Sequence, residues 1–312
     1  MKTQNKDTVI SLPSQLKTPS FVLNYPFSLS TKDPNNIWMK ELNEKERKVD
    51  LEAAHAEFMD FYNYLSSYCL VYLLPSGKGM QFQDLVYVAN IGCMLPHLKE
   101  QDTVVISNFK SKPRQGEEEI GKRFFEEMGY KTYKPQFYFE GEAELKYIRD
   151  NIYIGGYGLR SDIRAYKELS EKFGMKIITL PLTDEYLYHL DTVLFPINNE
   201  TILLGTDFLS KKDIQLIEKF VEIIPISKND CYGGSTNSVR AGKVILNADT
   251  TELAGMTTRE KNVEIMRIER LTKICADQGL ELALFELEEY AKSGALLSCM
   301  TFHLNYVDYQ NE

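Results

Sequence analysis

LEAAHAEFMDFYNYLSSYCLVYLL (51–74) changes its periodicity part-way along. Leu51, Ala54, Phe58, Phe61 and Leu65 fall at spacings of 3, 4, 3 and 4. That spacing puts them on one face of a helix, predicted over roughly 45–67. CLVYLL (69–74) follows as a short apolar block, predicted as a buried strand.

The same passage from helix to strand recurs along the chain. A helix near 115–129 leads to a strand at Tyr130–Tyr133, and one near 161–173 leads to MKIITL (175–180). A third, near 211–221, leads to VEIIPI (221–226), and a long one near 259–278 leads to LELALF (280–285). Further strand candidates lie between them: LVYVAN, TVVIS, NIYIGG, TVLFPI, TILLG, KVILN and ALLSCMTFHL. One supersecondary unit of about three strands and a helix, used five times, suggests a closed radial array. In such an array the strand ends near the axis converge, so polar residues distant in sequence meet in a central pocket. No Pro/Gly/Ser linker divides the chain. A polar, flexible tail is expected over 1–20 and one domain over 21–312, with 249–256 as a loop within it.

Composition excludes several classes. The chain has 312 residues and a net charge of −9, without a basic block, which argues against a nucleic-acid partner. The charge is ordinary for an acidic protein and compatible with a cationic substrate. No apolar run of membrane-spanning length or signal-peptide h-region appears, so no membrane association and a cytoplasmic location are expected. Cys69, Cys93, Cys231, Cys275 and Cys299 are odd in number and widely spaced, a reduced-thiol pattern without a CxxC pair. The four histidines are equally scattered, so neither a metal nor another cofactor is expected. A homodimer is the default oligomer.

Five places carry candidate chemistry. Cys299 stands in a largely apolar stretch after Ser293–Gly294, and alone it reads as a core cysteine. His189 and Asp191 are two apart, so on a strand they would share a face, pairing a proton carrier with an anion. Glu140 precedes Gly141, where the backbone can turn sharply. Asp84 and Asn90 bracket a predicted strand, and Arg114 precedes a helix. Each has a plain structural reading by itself: core histidine, turn carboxylate, strand-end cap, solvated arginine. Together they supply a thiol, an imidazole and several carboxylates, with neither a metal set nor a phosphate loop.

At these residues the sequence resembles the guanidino-group-modifying enzymes, the five-bladed α/β propellers called penteins. The resemblance is carried, in order, by NNIWM (35–39), QDLVYVANIG (83–92), PRQGEEEIGKRFFEEMG (113–129), FEG (139–141), YGLRSD (157–162), YHLDTVLFPI (188–197), GGSTNSV (233–239) and KSGALLSCMTF (292–302). It is nearest to the dimethylarginine dimethylaminohydrolases and arginine dihydrolases. It implies ββαβ blades around a central active site. Cys299 would be the nucleophile, with Met300 in place of the usual leucine, His189 the general acid/base and Glu140 the catalytic carboxylate. Asp84 and Asp191 would hold a guanidinium, and Arg114 a substrate carboxylate. Asn36, Asn90 and Asn237 would line the pocket. One departure is Glu144, where the family often has aspartate.

The implied function is hydrolysis of the guanidino group of arginine or a derivative through a covalent thiouronium. A guanidinium is planar, cationic and weakly electrophilic, so converging carboxylates suit it. The same cation lowers the pKa of an adjacent thiol, so Cys299 is expected to become reactive only with substrate bound. Amidino transfer to an amine would use the same intermediate, and a non-catalytic binding protein would need none of this chemistry.

Overall fold

The computed structural model describes residues 11–76, 82–251, 253 and 255–309. It contains five three-stranded sheets. In the second, Gly92–Met94 pairs antiparallel with Thr103–Ile106, the helix Glu117–Glu127 crosses over, and Lys131–Tyr133 adds in parallel. The third repeats this with Leu145–Arg149, Ile152–Tyr157, the helix Ile163–Phe173 and Lys176–Pro181. The fourth uses Leu194–Pro196, Thr201–Gly205, the helix Lys211–Ile217 and Glu222–Ile226. The fifth uses Val239–Ala241, Val244–Asp249, the helix Thr258–Asp277 and Glu281–Glu286. The first blade draws on both ends of the chain. Phe302–His303 pairs antiparallel with Ser20–Leu23, and Leu70–Leu73 adds in parallel after the helix Leu51–Ser66.

Apolar clusters join each blade to its neighbours. Val22 and Phe302 meet Val104 and Phe125; Val105 and Cys93 meet Leu145 and Tyr153. Ile154 and Leu194 share a cluster with Leu203, Ile245 and Leu271. Leu246 and Phe285 meet Phe21 and Phe58, returning to the first blade. The parallel third strand needs a crossover, which explains why a helix precedes every outer strand.

Several expectations are corrected. The first helix begins at Leu51, not near 45, because the Asp50 side chain caps it by accepting from the Glu52 and Ala53 amides. CLVYLL is an outer edge strand, and Leu70 and Leu73 are exposed. LVYVAN is not a strand; its buried end is the 3-10 turn Val88–Asn90. ALLSCMTFHL is mostly turn, with a 3-10 segment at Ser298–Met300 before the short strand. The tail expected through Ser20 falls in two parts. Residues 1–10 lie outside the described residues. From residue 12 onward the chain is docked: Asn305 donates to the carbonyls of Pro13, Leu16 and Thr18, and the Ser14 hydroxyl donates to that of Gln101.

Candidate active site

Every inner strand is preceded by a buried turn, and these turns carry the candidate residues. Asn90 ends the 3-10 turn before Gly92–Met94. Glu140 opens the turn Gly141–Ala143 before the third blade. His189 opens the turn Leu190–Thr192, which contains Asp191, before the fourth. Asn237 lies two residues before Val239, and Cys299 sits in the turn before Phe302. His189 and Asp191 therefore do not share a strand face. A tight turn aims them instead, and both are buried.

The turns meet around a cavity of only about 20 Å³, lined by Asn36, Asp84, Asn90, Arg114, His189 and Cys299 among others. His189 Nε2 is 2.8 Å from Glu140 Oε2 and 3.5 Å from the Asn90 amide. Cys299 Sγ accepts from Asn237 Nδ2 at 3.3 Å and is 3.6 Å from Asp191 Oδ2. Asp191 Oδ2 also accepts from Ser298 Oγ at 2.7 Å. Asn36 caps a short helix by accepting from the Met39 amide, while its own amide donates to the Ser293 carbonyl. The geometry thus brings all the expected site residues into one connected cluster.

No protein-family model matches the chain. Among curated proteins, the bifunctional arginine dihydrolase/ornithine cyclodeaminase AgrE of Nostoc is 28% identical over 86% of this chain. ArgZ of Synechocystis, of the same description, is 27% identical over the same share. This chain covers 35% of the length of each. The N(G),N(G)-dimethylarginine dimethylaminohydrolase of Mycobacterium tuberculosis is 27% identical, over 72% of both chains. Among solved structures, the N-terminal domain of ArgZ bound to substrate superposes with a TM-score of 0.78 at 24% identity, covering 92% of this chain and 98% of that one. Unliganded AgrE gives a TM-score of 0.78 at 26% identity, over 92% of this chain and 39% of its own. This chain has the pentein fold.

The electrostatics of the site follow from burial. Burial, then Asp191, pushes the Cys299 thiol up to about 12, so the free protein holds a neutral thiol. Burial lowers His189 against the opposing pull of Glu140, so the imidazole is neutral as well. Burial works to raise Glu140, but Arg160, His189 and Arg114 outweigh it and hold the carboxylate at about 2. One oxygen on Glu140, Oε1, and one on Asp191, Oδ1, are buried without a hydrogen-bond partner among the described residues. Such atoms are costly unless a ligand satisfies them.

Arg114 is not a solvated arginine. It is buried, with Nε and Nη2 bound to Glu117 and Nη2 also donating to the Asp84 and Tyr87 carbonyls. Asp84 accepts from Asn35 Nδ2 at 2.5 Å and from Gln83 Nε2 at 3.3 Å. Arg160 is a site residue that sequence reasoning missed. Its Nη1 is 3.4 Å from Glu140 Oε2, its Nη2 donates to the Asn35 carbonyl, and its guanidinium lies 4.6 Å from the Tyr188 ring centroid. The signal was present in YGLRSD, where Gly158 adopts a φ of 122° just before the arginine. Tyr87, Tyr188 and Ser293, which lie in QDLVYVANIG, YHLDTVLFPI and KSGALLSCMTF but received no role there, also line the cavity.

Proposed function

We propose that this protein is a cysteine-dependent hydrolase of the guanidino group of arginine or an arginine derivative. The observation that carries the reading is the pair of unpartnered carboxylate oxygens, Glu140 Oε1 on the residue bound to His189 and Asp191 Oδ1 on the residue beside the Cys299 thiol. A planar cation with several N–H donors meets that demand, and an anionic ligand does not. Homologues described as arginine dihydrolases and a dimethylarginine dimethylaminohydrolase support the same reading.

Cys299 is the nucleophile, His189 the acid and base, and Glu140 the carboxylate that orients and charges the imidazole. Asp84 and Asp191 hold the guanidinium. Arg114, through its remaining Nη1, and Arg160 receive a substrate carboxylate, while Asn36, Asn90 and Asn237 shape the pocket. Entry of the cation favours the thiolate, and the thiol proton passes to the neutral His189 imidazole. The thiolate forms an S–C bond to the guanidinium carbon. Protonated His189 gives its proton to the departing nitrogen, the C–N bond breaks, and a thiouronium remains. Water then adds to that carbon. One of its protons goes to His189 and the other to the departing sulfur, which releases the ureido product.

The relatives described as arginine dihydrolases and a dimethylarginine dimethylaminohydrolase favour water over a second amine as acceptor, and so hydrolysis over amidino transfer. Incubation with arginine, Nω-methylarginine and agmatine, read by mass spectrometry, tests the proposal. Citrulline or ornithine is expected. No turnover of any guanidine and no adduct on Cys299 overturns it. His189→Gln is expected to lower kcat by ~100- to 10,000-fold, measured by product formation under saturating substrate.

A further inference from the structure

The middle strand of the fifth sheet, VILNAD (244–249), is apolar but for Asn247 near its centre and Asp249 at its end. Asn247 is buried, and so is Arg267 on the helix Thr258–Asp277. A buried amide and a buried guanidinium are each costly unless their polar atoms are bonded. Arg267 Nε donates to Glu264 Oε2 at 2.7 Å, and Nη2 donates to Glu264 Oε1 and, at 2.9 Å, to the Ala248 carbonyl. Nη1 donates to Asn247 Oδ1 at 2.9 Å. Glu264 thus meets the charge, and the other arm of the guanidinium holds the strand. Arg267 does not line the catalytic cavity.

A guanidinium only donates, so the Asn247 amide is seated with its oxygen towards Arg267. Its NH2 group then faces the turn 234–238. It donates to the Gly234 carbonyl at 2.9 Å and to the Ser238 hydroxyl at 2.8 Å, clamping both ends of the turn that carries Asn237. Gly233, just before that turn, rests on Arg267 itself: a Cβ there would sit 2.4 Å from the arginine Cδ. Asn237 is also seated one way round. The Ser298 amide donates to its Oδ1 at 2.8 Å, which leaves Nδ2 to donate to the Cys299 sulfur at 3.3 Å. Burial, then Asp191, pushes that thiol up, and the Asn237 amide is the largest opposing pull.

We propose that Arg267 is a positioning residue for the nucleophile. Through Asn247 it holds the turn 234–238 so that Asn237 donates to the Cys299 sulfur and stabilises the thiolate that attacks. The proposal rests on the guanidino-hydrolase reading and adds to it a residue outside every segment that carries the family resemblance. Docking the helix does not require the link to Asn247, since Leu271 and Cys275 already share an apolar cluster with Ile245 of the same strand.

The test follows alkylation of Cys299 by iodoacetamide at fixed pH, by mass spectrometry on the whole protein. Arg267→Lys keeps a charge for Glu264, but one ammonium lacks the planar fork that serves Glu264, Ala248 and Asn247 together. It is expected to slow alkylation about three- to tenfold, the effect of a lost hydrogen bond to a thiolate after the offsetting gain in nucleophilicity. Asn247→Asp has the same shape, still accepts from Arg267 and loses only the donors to the turn. It is expected to give the same loss, and it serves as the test if Arg267→Lys does not fold. With Asn237→Ala already in place, neither change should slow alkylation further, because the donor they position is gone. Leu271→Val loosens the same helix without touching this chain of bonds and should leave the rate within about twofold of the parent. For arginine, kcat should fall in parallel while KM stays within about twofold. Slowing of equal size with and without Asn237→Ala overturns the proposal. So does the absence of slowing, or a matching loss in Leu271→Val. Alkylation needs no guanidine, so failure of the parent protein to turn over any guanidine overturns the hydrolase reading by a separate measurement.

Discussion

Cys299 reads in the sequence as a core cysteine, and its burial agrees with that reading. What distinguishes it from Cys69, Cys93, Cys231 and Cys275 is its company, Asp191 on one side and Asn237 on the other. With its thiol pushed up to about 12, alkylation by iodoacetamide should climb steadily with pH and show no plateau near neutrality. Millimolar guanidinium should accelerate it at fixed pH, because a bound cation offsets Asp191. Labelling followed by mass spectrometry checks both; a plateau below pH 8 without ligand contradicts them. Glu144 gives a second residue-scale expectation. Burial, then Glu140 and Asp191, raises its carboxyl well above the ordinary range against a weaker pull from the Leu190 backbone. The folded protein therefore favours the neutral acid. That contribution to stability is complete below the unfolded-state pKa of about 4.3 and is lost as pH rises towards the raised folded value. Glu144→Gln keeps the shape without the charge. It should retain activity within about threefold, and its Tm should fall less than that of the parent between pH 6 and 9. Loss of activity on the scale of Glu140→Gln would show that the carboxylate form is needed.

At the scale of elements, the helices were legible and the functional turns were not. Leu51, Ala54, Phe58, Phe61 and Leu65 declare a helix because burial on one face imposes the 3.6-residue period. LVYVAN and ALLSCMTFHL are as apolar as strands because their turns sit at the centre of the molecule, walled in on every side. Periodicity cannot separate a buried strand from a buried turn. The inner strands Gly92–Met94 and Val239–Ala241 are too short to show any alternation. The position of Glu140 was nevertheless signalled by Gly141. That glycine has a φ of +66°, and a Cβ there would sit 2.4 Å from the Ala89 carbonyl oxygen and 2.7 Å from that of Gly92. The turn bearing Glu140 is thus nested directly on the turn bearing Asn90. Gly141→Ala should cost about 2–4 kcal/mol, from left-handed backbone plus a clash with main chain that cannot yield. Gly174→Ala has a similar φ of +67° with nothing within 4 Å, so it should cost only ~1 kcal/mol. Urea midpoints of the two variants measure the difference; equal losses would mean the nesting contributes nothing.

At the scale of the molecule, the recurring helix-to-strand passage was enough to suggest a radial array, but not how the array closes. The short strand Phe302–His303 was hidden in an apolar run, and its partner Ser20–Leu23 lies about 280 residues away in sequence. Closure is reinforced by a buried hydrogen-bonded pair. His303 Nδ1 is 2.6 Å from Glu142 Oε1, and the His303 amide donates to Glu142 Oε2 at 2.9 Å. The final strand is thereby fastened to the turn that carries Glu140, across the centre. Removing one partner leaves the other buried without its hydrogen bond, so His303→Ala should cost ~1–3 kcal/mol. The double variant with Glu142→Ala should cost less than the sum of the single ones, because the second change removes the polar group left without a partner. Since apolar clusters link each blade to the next and return to the first, the described chain should unfold as one unit. Denaturation followed by Trp38 fluorescence and by far-ultraviolet circular dichroism should give coincident curves in the parent protein. Curves that separate in the parent would mean that closure of the ring does not couple the blades. Curves that separate only in His303→Ala would locate the coupling in the strand that closes the ring.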